Sequence, residues 1–182
     1  MPTLYLVRHG RAAAGWDADK DPGLDASGLE QARRVADALA ARGPLDLIVS
    51  PMVRTRETAA PLAQAWGIVP RIEPRVSEIP SPTTDLAVRG RWLREIIARR
   101  WTELDDALRR WRDGVLGALT QIERDAVVVT HYIAINAAVG AATADDRVVS
   151  FRPNHCSVTV LRNEDGRLEL IRLGDEADSR LL

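Results

Sequence analysis

The chain has 182 residues, a length that fits a single domain over residues 1–182. Its 25 Lys and Arg residues against 26 Asp and Glu residues give a formal net charge of −1, which argues against the broad positive field of a nucleic-acid-binding protein. The single cysteine excludes an intrachain disulfide, and no apolar run approaches the ~18 residues of a membrane span. Since the N-terminus also lacks a signal-peptide pattern, we expect a cytoplasmic protein that binds neither nucleic acid nor membrane.

Short apolar runs alternate with stretches of helical periodicity along most of the chain. The predicted strands cover residues 4–7, 45–49, 69–72, 126–130, 157–161 and 168–173. The predicted helices lie between Asp25 and Gly43, between Pro51 and Gly67, over residues 92–122 with one or two breaks, and over residues 133–139. Asp25 and Ser50 are the predicted N-caps, because their side chains accept hydrogen bonds from free N–H groups in a first turn.

The pattern also predicts helix faces, ion pairs and turns. The apolar face of the first helix is predicted to begin at Leu29, and Asp105 and Asp106 are predicted to pair with the arginines four residues later. Prolines mark residues 74–84 as a loop, and residues 163–166 form the turn of a hairpin. Strands alternating with helices predict a three-layer α/β/α sandwich with a mostly parallel sheet and one late antiparallel strand.

Basic and imidazole side chains follow three of the predicted strands. Arg8, His9 and Gly10 follow the first strand, Arg54 lies shortly after the second, and His131 follows the strand over residues 126–130. Because ligand sites in open α/β sheets lie beyond the carboxyl ends of strands, we expect these residues to converge. Two guanidinium groups and two imidazoles suit a phosphoryl group, whose transfer places charge on three equatorial oxygens.

Each of these residues has a physical property that suits it to a phosphate site. Arg8 and Arg54 carry permanent positive charge, and Arg54 lies in the first turn of its helix, where backbone N–H groups favour an anion. Positive neighbours should lower the pKa of His9 and so preserve the neutral, nucleophilic imidazole. Gly10 lets a phosphate approach without a Cβ in the way. The set predicts a covalent phosphohistidine on His9, formed without a metal.

A leaving alkoxide also needs a proton, and a carboxylic acid on a loop over the site is suited to supply it. Glu78, in the proline-bounded loop, is the candidate. Glu57 is the rival carboxylate, which we interpret as a structural partner of Arg54 or Arg56.

With these residues in this order, the chain resembles the histidine phosphatase superfamily, also called the phosphoglycerate mutase-like superfamily. The resemblance covers nearly the whole chain in order, at residues 6–10, 24–32, 50–59, 78, 127–131 and 154–161. It implies His9 as the nucleophile, Glu78 as the proton donor, and a phosphate pocket of Arg8, Arg54 and His131, with no metal and no cofactor.

The sequence also departs from the pattern that it resembles. Arg11 and Gly15 stand where the mutase branch has an acidic residue and an asparagine, and the insertions of the mutases are missing. Both departures favour a phosphatase over a mutase. Tyr132 stands where many members have glycine after the second catalytic histidine, so its bulk is expected to narrow the pocket or contact the substrate.

Three functions fit this pocket. The favoured one is hydrolysis of a small phosphomonoester; the second is removal of phosphate from phosphohistidine in a phosphoprotein; the third is binding of a phosphorylated ligand without catalysis. Only the first two need His9 as nucleophile, and only the first needs Glu78.

Other residues receive less specific interpretations. A metal site built from His9, His131 and His155 lacks the usual ligand spacing and would face two arginines, so we expect none. His155 is expected at the pocket rim or in a structural role, and Cys156 as a small core residue. Trp16 draws attention because it follows the nucleophile loop.

Overall fold

The computed structural model describes residues 1–15 and 18–177, in which one sheet of six strands is flanked by five α-helices. The strands are β1 (Thr3–Arg8), β2 (Asp46–Val49), β3 (Arg71–Ile72), β4 (Ala126–Thr130), β5 (Val158–Glu164) and β6 (Arg167–Arg172). The helices are α1 (Ala26–Ala40), α2 (Val53–Trp66), α3 (Leu86–Ile96), α4 (Asp106–Thr120) and α5 (Tyr132–Thr143). Single 3₁₀ turns lie at Pro74–Val76 and Trp101–Glu103.

The strand order is β3-β2-β4-β1-β5-β6. Neighbours from β3 to β1 pair in parallel, whereas β5 runs antiparallel to both β1 and β6. One strand therefore opposes the other five, which confirms the predicted mostly parallel sheet with one late antiparallel strand. The register pairs Arg8 with Thr130 and Val49 with Val129, so the carboxyl ends of the three central strands lie level at one edge.

Helices cover both faces of this sheet, which confirms the three-layer architecture. Alternate residues of β1 point to opposite faces: Leu4 and Leu6 belong to the core under α4 and α5, and Val7 to the core under α1 and α2. A third apolar cluster joins α3 to α5 around the fully buried Trp101. Every residue of β4 is buried, because helices pack on both of its sides, and this explains its uninterrupted apolar run.

The ends of α1 and α2 test the predicted caps. Asp25 is confirmed as the N-cap of α1, since its Oδ1 accepts from the N–H of Gly28 at 2.7 Å. The prediction for Ser50 is wrong: α2 begins at Val53 with Met52 as N-cap. Gly67 ends α2 with a φ of 64°, as predicted. Leu29 is 40% exposed, so the buried face of α1 does not include it.

The segment predicted as one interrupted helix over residues 92–122 consists of α3, the turn at Trp101–Glu103 and α4, and α3 already begins at Leu86. Asp105 does not pair with Arg109; its Oδ1 caps α4 by accepting from the N–H of Leu108 at 2.9 Å. Arg109 pairs with Asp106 instead. A free N–H in a first turn is a nearby partner for a short carboxylate, so the cap replaces the predicted i, i+4 pair.

The hairpin between β5 and β6 is confirmed, with a turn at Asp165 (φ 48°) and Gly166 (φ 86°). Positive φ at both central residues is typical of the tight turns that match the twist of two antiparallel strands. Among the described residues, no helix has both the length and the apolar character needed to cross a bilayer.

Candidate active site

The carboxyl ends of β1, β2 and β4 bring together five of the predicted site residues. They are Arg8, His9, Arg54, Glu78 and His131, and all five are buried. The cluster follows from the register, because His9 and His131 each come directly after a strand, while the α2 residue Arg54 follows β2 by one loop. The predicted convergence at one edge of the sheet is therefore present.

His9 is held in one orientation and one tautomer. Its backbone N–H donates to the carbonyl oxygen of Thr130 at 3.0 Å. Its Nδ1 lies 2.8 Å from the carbonyl oxygen of Gly10, and since a carbonyl only accepts, Nδ1 carries the proton. Nε2 is therefore the unprotonated nitrogen, and its lone pair accepts a hydrogen bond from the Nε of Arg54 at 3.3 Å.

The electrostatic surroundings keep His9 neutral. Burial, followed by the positive charges of Arg54 and Arg8, holds the pKa of His9 well below its usual value. A neutral imidazole with an unprotonated Nε2 is the form that attacks phosphorus. Geometry and charge thus leave His9 as a neutral imidazole whose unprotonated nitrogen is Nε2.

Arg54 links the members of the cluster. Its Nη2 lies 3.3 Å from Oε2 of Glu78 and 3.3 Å from Nδ1 of His131, in addition to the contact of its Nε with His9. Its Nη1 lies 3.6 Å from Oδ1 of Asp21. One guanidinium therefore reaches both histidines and the candidate acid, and its fork can present several donors to one anion.

His131 is the N-cap of α5 and is completely buried. Its Nε2 lies 2.8 Å from Oγ of Ser50, and its Nδ1 faces the permanent donor Arg54. This pattern makes Nδ1 an acceptor and Nε2–H a donor to Ser50. Burial, Arg54 and His9 hold the pKa of His131 well below its usual value, so both imidazoles of the cluster are neutral.

Glu78 enters the cluster from the loop after the turn at Pro74–Val76. Its Oε1 accepts from the N–H of Ile79 at 3.1 Å, and its Oε2 lies 3.5 Å from Nδ1 of His131. The loop is tied to the sheet, since Oγ1 of Thr130 donates to the carbonyl oxygen of Val76 at 2.6 Å. The carboxyl group is thereby held beside the two histidines.

Arg8 is positioned by two contacts outside the cluster. Its Nη1 donates to the carbonyl oxygen of Pro153 at 2.9 Å, and its guanidinium lies 5.0 Å from the ring centroid of Tyr132. Its Nε is buried and has no hydrogen-bond partner among the described residues. Burial lowers the pKa of Arg8 to about 10, which still leaves the group charged at neutral pH. Tyr132 therefore supports a cationic residue of the pocket, a role that the sequence did not predict for it.

In the structure, glycine is required at position 10 for a different reason from the predicted one. Its N–H donates to Oγ1 of Thr58 at 2.9 Å, and a Cβ at this position would lie 2.7 Å from the carbonyl oxygen of Gly28. A Cβ on Gly28 would in turn lie 2.1 Å from the carbonyl oxygen of Arg11. Glycine is thus required where α1 packs against the loop after β1, and contact between Gly10 and phosphate stays a prediction.

Sequence reasoning missed three supporting residues. Oδ1 of Asp21 accepts from the N–H of Val53 at 2.9 Å and so caps α2 beside Arg54. Thr58 joins the loop at Gly10 to α2, and Ser50 orients His131. The only signal for Asp21 was its place in a polar loop, whereas the contacts of Ser50 and Thr58 depend on the tertiary fold.

The prediction for Glu57 is wrong. Its Oε2 accepts from the N–H of Leu24 at 2.6 Å, so it fixes the chain ahead of α1 and pairs with neither Arg54 nor Arg56. The backbone donor of Leu24 lies ahead of the capped helix and has no intrahelical partner, which makes it available to this carboxylate.

Other candidates lie around the cluster. The ring centroid of His155 is 6.2 Å from that of His9, and burial together with Arg8 lowers the pKa of His155 to about 4. Burial raises the pKa of the Cys156 thiol to about 12, so it stays protonated and unreactive. Trp16 lies outside the described residues.

The cluster also contains a set of metal-ligand types. His9, Glu78 and His131 can each offer one atom within 4.8 Å of the others. However, Arg54 lies within 3.3 Å of an atom of all three residues, and this permanent cation opposes a second cation at the same place. The arrangement suits an anion better than a metal ion.

Known proteins resemble the chain in sequence. A sequence model of the histidine phosphatase superfamily (branch 1) matches residues 4–176. GpmB of Enterobacter sp., named a probable phosphoglycerate mutase, is 36% identical over 85 residues, which cover 43% of this chain and 39% of GpmB. PE_PGRS11 of Mycobacterium tuberculosis is 46% identical over 82 residues, which cover 42% of this chain and 14% of PE_PGRS11. The chain therefore spans well under half the length of these curated relatives.

Solved structures resemble the whole chain. YhfR of Bacillus stearothermophilus has a TM-score of 0.79 at 20% identity, with coverage of 97% of this chain and 98% of that one. A mycobacterial glucosyl-3-phosphoglycerate phosphatase has a TM-score of 0.71 at 21% identity, covering 97% and 100%. A phosphoserine phosphatase variant of Entamoeba histolytica has a TM-score of 0.74 at 19% identity, covering 96% and 98%. These likenesses support the fold.

Proposed function

The chain belongs to the histidine phosphatase superfamily, and from this premise we propose that it hydrolyses small phosphomonoesters without a metal, through a phosphohistidine on His9. The observation that carries the proposal is the protonation state of His9 and its position beside Arg54. Its Nδ1 proton is bound to the carbonyl oxygen of Gly10, and its unprotonated Nε2 lies beside the guanidinium of Arg54. A nucleophile and a phosphate-binding cation thus share one buried position.

In the first step, Nε2 of His9 attacks phosphorus. A P–N bond forms while the bond from phosphorus to the leaving oxygen breaks. Arg54 and Arg8 stabilise the charge that spreads over the equatorial oxygens. Glu78 gives a proton to the leaving oxygen, so an alcohol departs instead of an alkoxide.

In the second step, water attacks the phosphohistidine. Glu78, now a carboxylate, takes a proton from the water as the new P–O bond forms. The P–N bond breaks, and inorganic phosphate and neutral His9 are restored. Each group therefore returns to its starting protonation state, and the cycle needs no redox partner.

Hydrolysis of 4-nitrophenyl phosphate in the presence of EDTA tests this proposal. We expect turnover by the wild type, and a phosphoenzyme that survives an alkaline quench, as phosphohistidine does. His9→Ala should lose both. His155→Ala is the matched control, because it removes the other histidine near His9 and should still form the phosphoenzyme. Inhibition by EDTA, or a His9→Ala variant as active as wild type, would contradict the mechanism.

The curated relatives named probable phosphoglycerate mutases favour a second candidate, transfer of the phosphoryl group to another hydroxyl. Arg11 and Gly15, which depart from the mutase pattern, favour water as the acceptor instead. The ratio of inorganic phosphate released to phosphoglycerate consumed distinguishes the two: a phosphatase gives a ratio near one, and a mutase gives isomerised phosphoglycerate with little free phosphate.

The position of Glu78 bears on the remaining alternatives. A phosphohistidine substrate leaves as an imidazole and needs less help from an acid than an oxygen ester does, and a silent binding protein needs no acid at all. Here the carboxyl group is buried, held by the N–H of Ile79 and within 3.5 Å of His131. This placement supports an oxygen ester as the substrate.

A further inference from the structure

One nitrogen of Arg54 stands between two hydrogen-bond acceptors of the cluster. Its Nη2 lies 3.3 Å from Oε2 of Glu78 and 3.3 Å from Nδ1 of His131. These two acceptors lie only 3.5 Å from each other. Nδ1 of His131 is the unprotonated nitrogen of its ring, because Nε2 donates to Oγ of Ser50 at 2.8 Å. The N–H groups of a single guanidinium nitrogen therefore keep two facing lone pairs hydrogen-bonded.

Among the described residues, side-chain hydrogen bonds reach these two acceptors from Arg54 alone. Oε1, the other oxygen of Glu78, accepts from the N–H of Ile79 at 3.1 Å. The second imidazole of the cluster, His9, gives its proton to a backbone carbonyl. The side chains of Glu78 and His131 are 4% and 0% exposed, so bulk water is a poor substitute for a donor that is withdrawn. The facing pair of acceptors therefore depends on Arg54.

The titratable and charged side chains around Glu78 and His131 come from four parts of the fold. They are Arg54 of α2, Arg8 and His9 after β1, Lys20 in the loop before α1, and Arg89 of α3. Asp21 adds a carboxylate 3.6 Å from Nη1 of Arg54, with a side chain that is 38% exposed. The guanidinium groups stay charged near neutral pH, and burial together with these charges keeps the pKa of His9 well below its usual value. A proton that enters the cluster near neutral pH therefore has its place between Glu78 and His131.

On the basis of the phosphatase function proposed above, we infer that binding of a phosphoryl group at Arg54 draws one proton from solvent into the space between Glu78 and His131. Charged phosphoryl oxygens bind a guanidinium more strongly than a neutral imidazole nitrogen does, so they take Nη2 away from the pair. Oε2 and Nδ1 then face each other without a donor and beside a new negative charge, which favours protonation. The substrate thereby loads Glu78 with the proton that its own leaving oxygen needs.

Molybdate tests this inference, because it stays a tetrahedral dianion between pH 7 and pH 8 and any proton taken up must enter the protein. Isothermal titration calorimetry in HEPES and in Tris, two buffers of different ionisation enthalpy, measures the number of protons bound with the anion. We expect an uptake of about one proton in the wild type, and a Kd that rises roughly tenfold from pH 7 to pH 8.

Two variants locate the proton. In Glu78→Gln the amide N–H can donate to Nδ1 of His131, so molybdate should bind with an uptake near zero. Asp21→Asn is the matched control, because it removes the other carboxylate that lies within 4.0 Å of Arg54 among the described residues. This variant should keep the wild-type uptake.

The outcomes separate this inference from the function on which it rests. Molybdate binding without proton uptake in the wild type would overturn the inference alone, whether or not Glu78→Gln folds. Uptake that persists in a folded Glu78→Gln protein would do the same, since the proton would then lie elsewhere. A wild type that binds no molybdate and hydrolyses no 4-nitrophenyl phosphate would overturn the proposed phosphatase function, and with it this inference.

Discussion

The contact between α1 and the loop after β1 leads to a specific prediction about stability. In Gly28→Ala, the new Cβ would lie 2.1 Å from the carbonyl oxygen of Arg11, a backbone atom that cannot rotate away. The two backbones must separate by roughly 1.2 Å to regain an ordinary C···O contact of about 3.3 Å. We expect the free energy of unfolding to fall by about 1–3 kcal/mol, the usual cost of overpacking.

The same substitution should reduce activity. Gly28 also contacts Gly10, the residue whose carbonyl oxygen fixes the tautomer of His9, so a displacement of this loop moves the nucleophile. A misplacement of about 1 Å at a reacting group costs on the order of 10²-fold in rate. We expect kcat for 4-nitrophenyl phosphate to fall by about that factor while the protein remains folded.

Gly117→Ala in α4 is the matched control, because a Cβ there would meet nothing within 4 Å. Alanine is favoured over glycine by about 1 kcal/mol inside a helix, so this variant should gain stability. At about 2–4 °C per kcal/mol for a chain of this size, Tm should rise by about 2–4 °C in Gly117→Ala and fall by about 2–12 °C in Gly28→Ala. An equal rise in both variants would refute the argument from the backbone contact.

Three further predictions concern the charges of the site. Glu78→Gln should lower kcat on an alkyl phosphate by roughly 10²- to 10⁴-fold. The loss of kcat on 4-nitrophenyl phosphate should be much smaller, because its leaving group needs no proton. Equal losses on both esters would contradict the acid role. Asp21→Asn keeps the oxygen that caps Val53 but removes a negative charge beside Arg54, so the inhibition constant of inorganic phosphate should fall roughly two- to fivefold. Weaker phosphate inhibition would show that Asp21 instead orients Arg54. The free energy of unfolding should fall between pH 7 and pH 5, because the pKa values of native His9 and His131 lie well below their usual value, and the unfolded chain takes up protons that the native chain does not. Below pH 6.5 the loss is at most about 1.4 kcal/mol per pH unit for each histidine. Urea unfolding at pH 7, 6 and 5 measures this loss. Greater stability at pH 5 would mean that these histidines are charged in the native protein.

The alternation of apolar runs was enough to predict the architecture and the edge at which the site lies. This succeeded because parallel strands end level with one another, so residues that directly follow strands, such as His9 and His131, become neighbours without any knowledge of the loops. Glu78 was predictable for a weaker reason, its place in a proline-bounded loop. Its contact with Arg54 depends on the path of that loop, which no local pattern specifies.

The errors share a physical cause. The pattern Ser50-Pro51 resembles a helix start, yet Oγ of Ser50 contacts His131, a residue 81 positions away. Asp105 was assigned to an ion pair on a helix face, yet it caps that helix. In each case a short polar side chain has two competing partners, and the local rule does not say which one the tertiary structure will favour.

The geometry around Arg54 also indicates how an anion would enter the site. Its contacts with His9, Glu78 and His131 are each 3.3 Å long, whereas charge-assisted hydrogen bonds are typically about 2.7–2.9 Å. Two of these three acceptors are neutral imidazole nitrogens, which hold a guanidinium less strongly than phosphoryl oxygens do. A phosphoryl group at ordinary hydrogen-bond distance would therefore replace these contacts with stronger ones. In the proposed mechanism, this exchange would release Nε2 of His9 from Arg54 as the phosphoryl group binds, so that binding would also expose the proposed nucleophile.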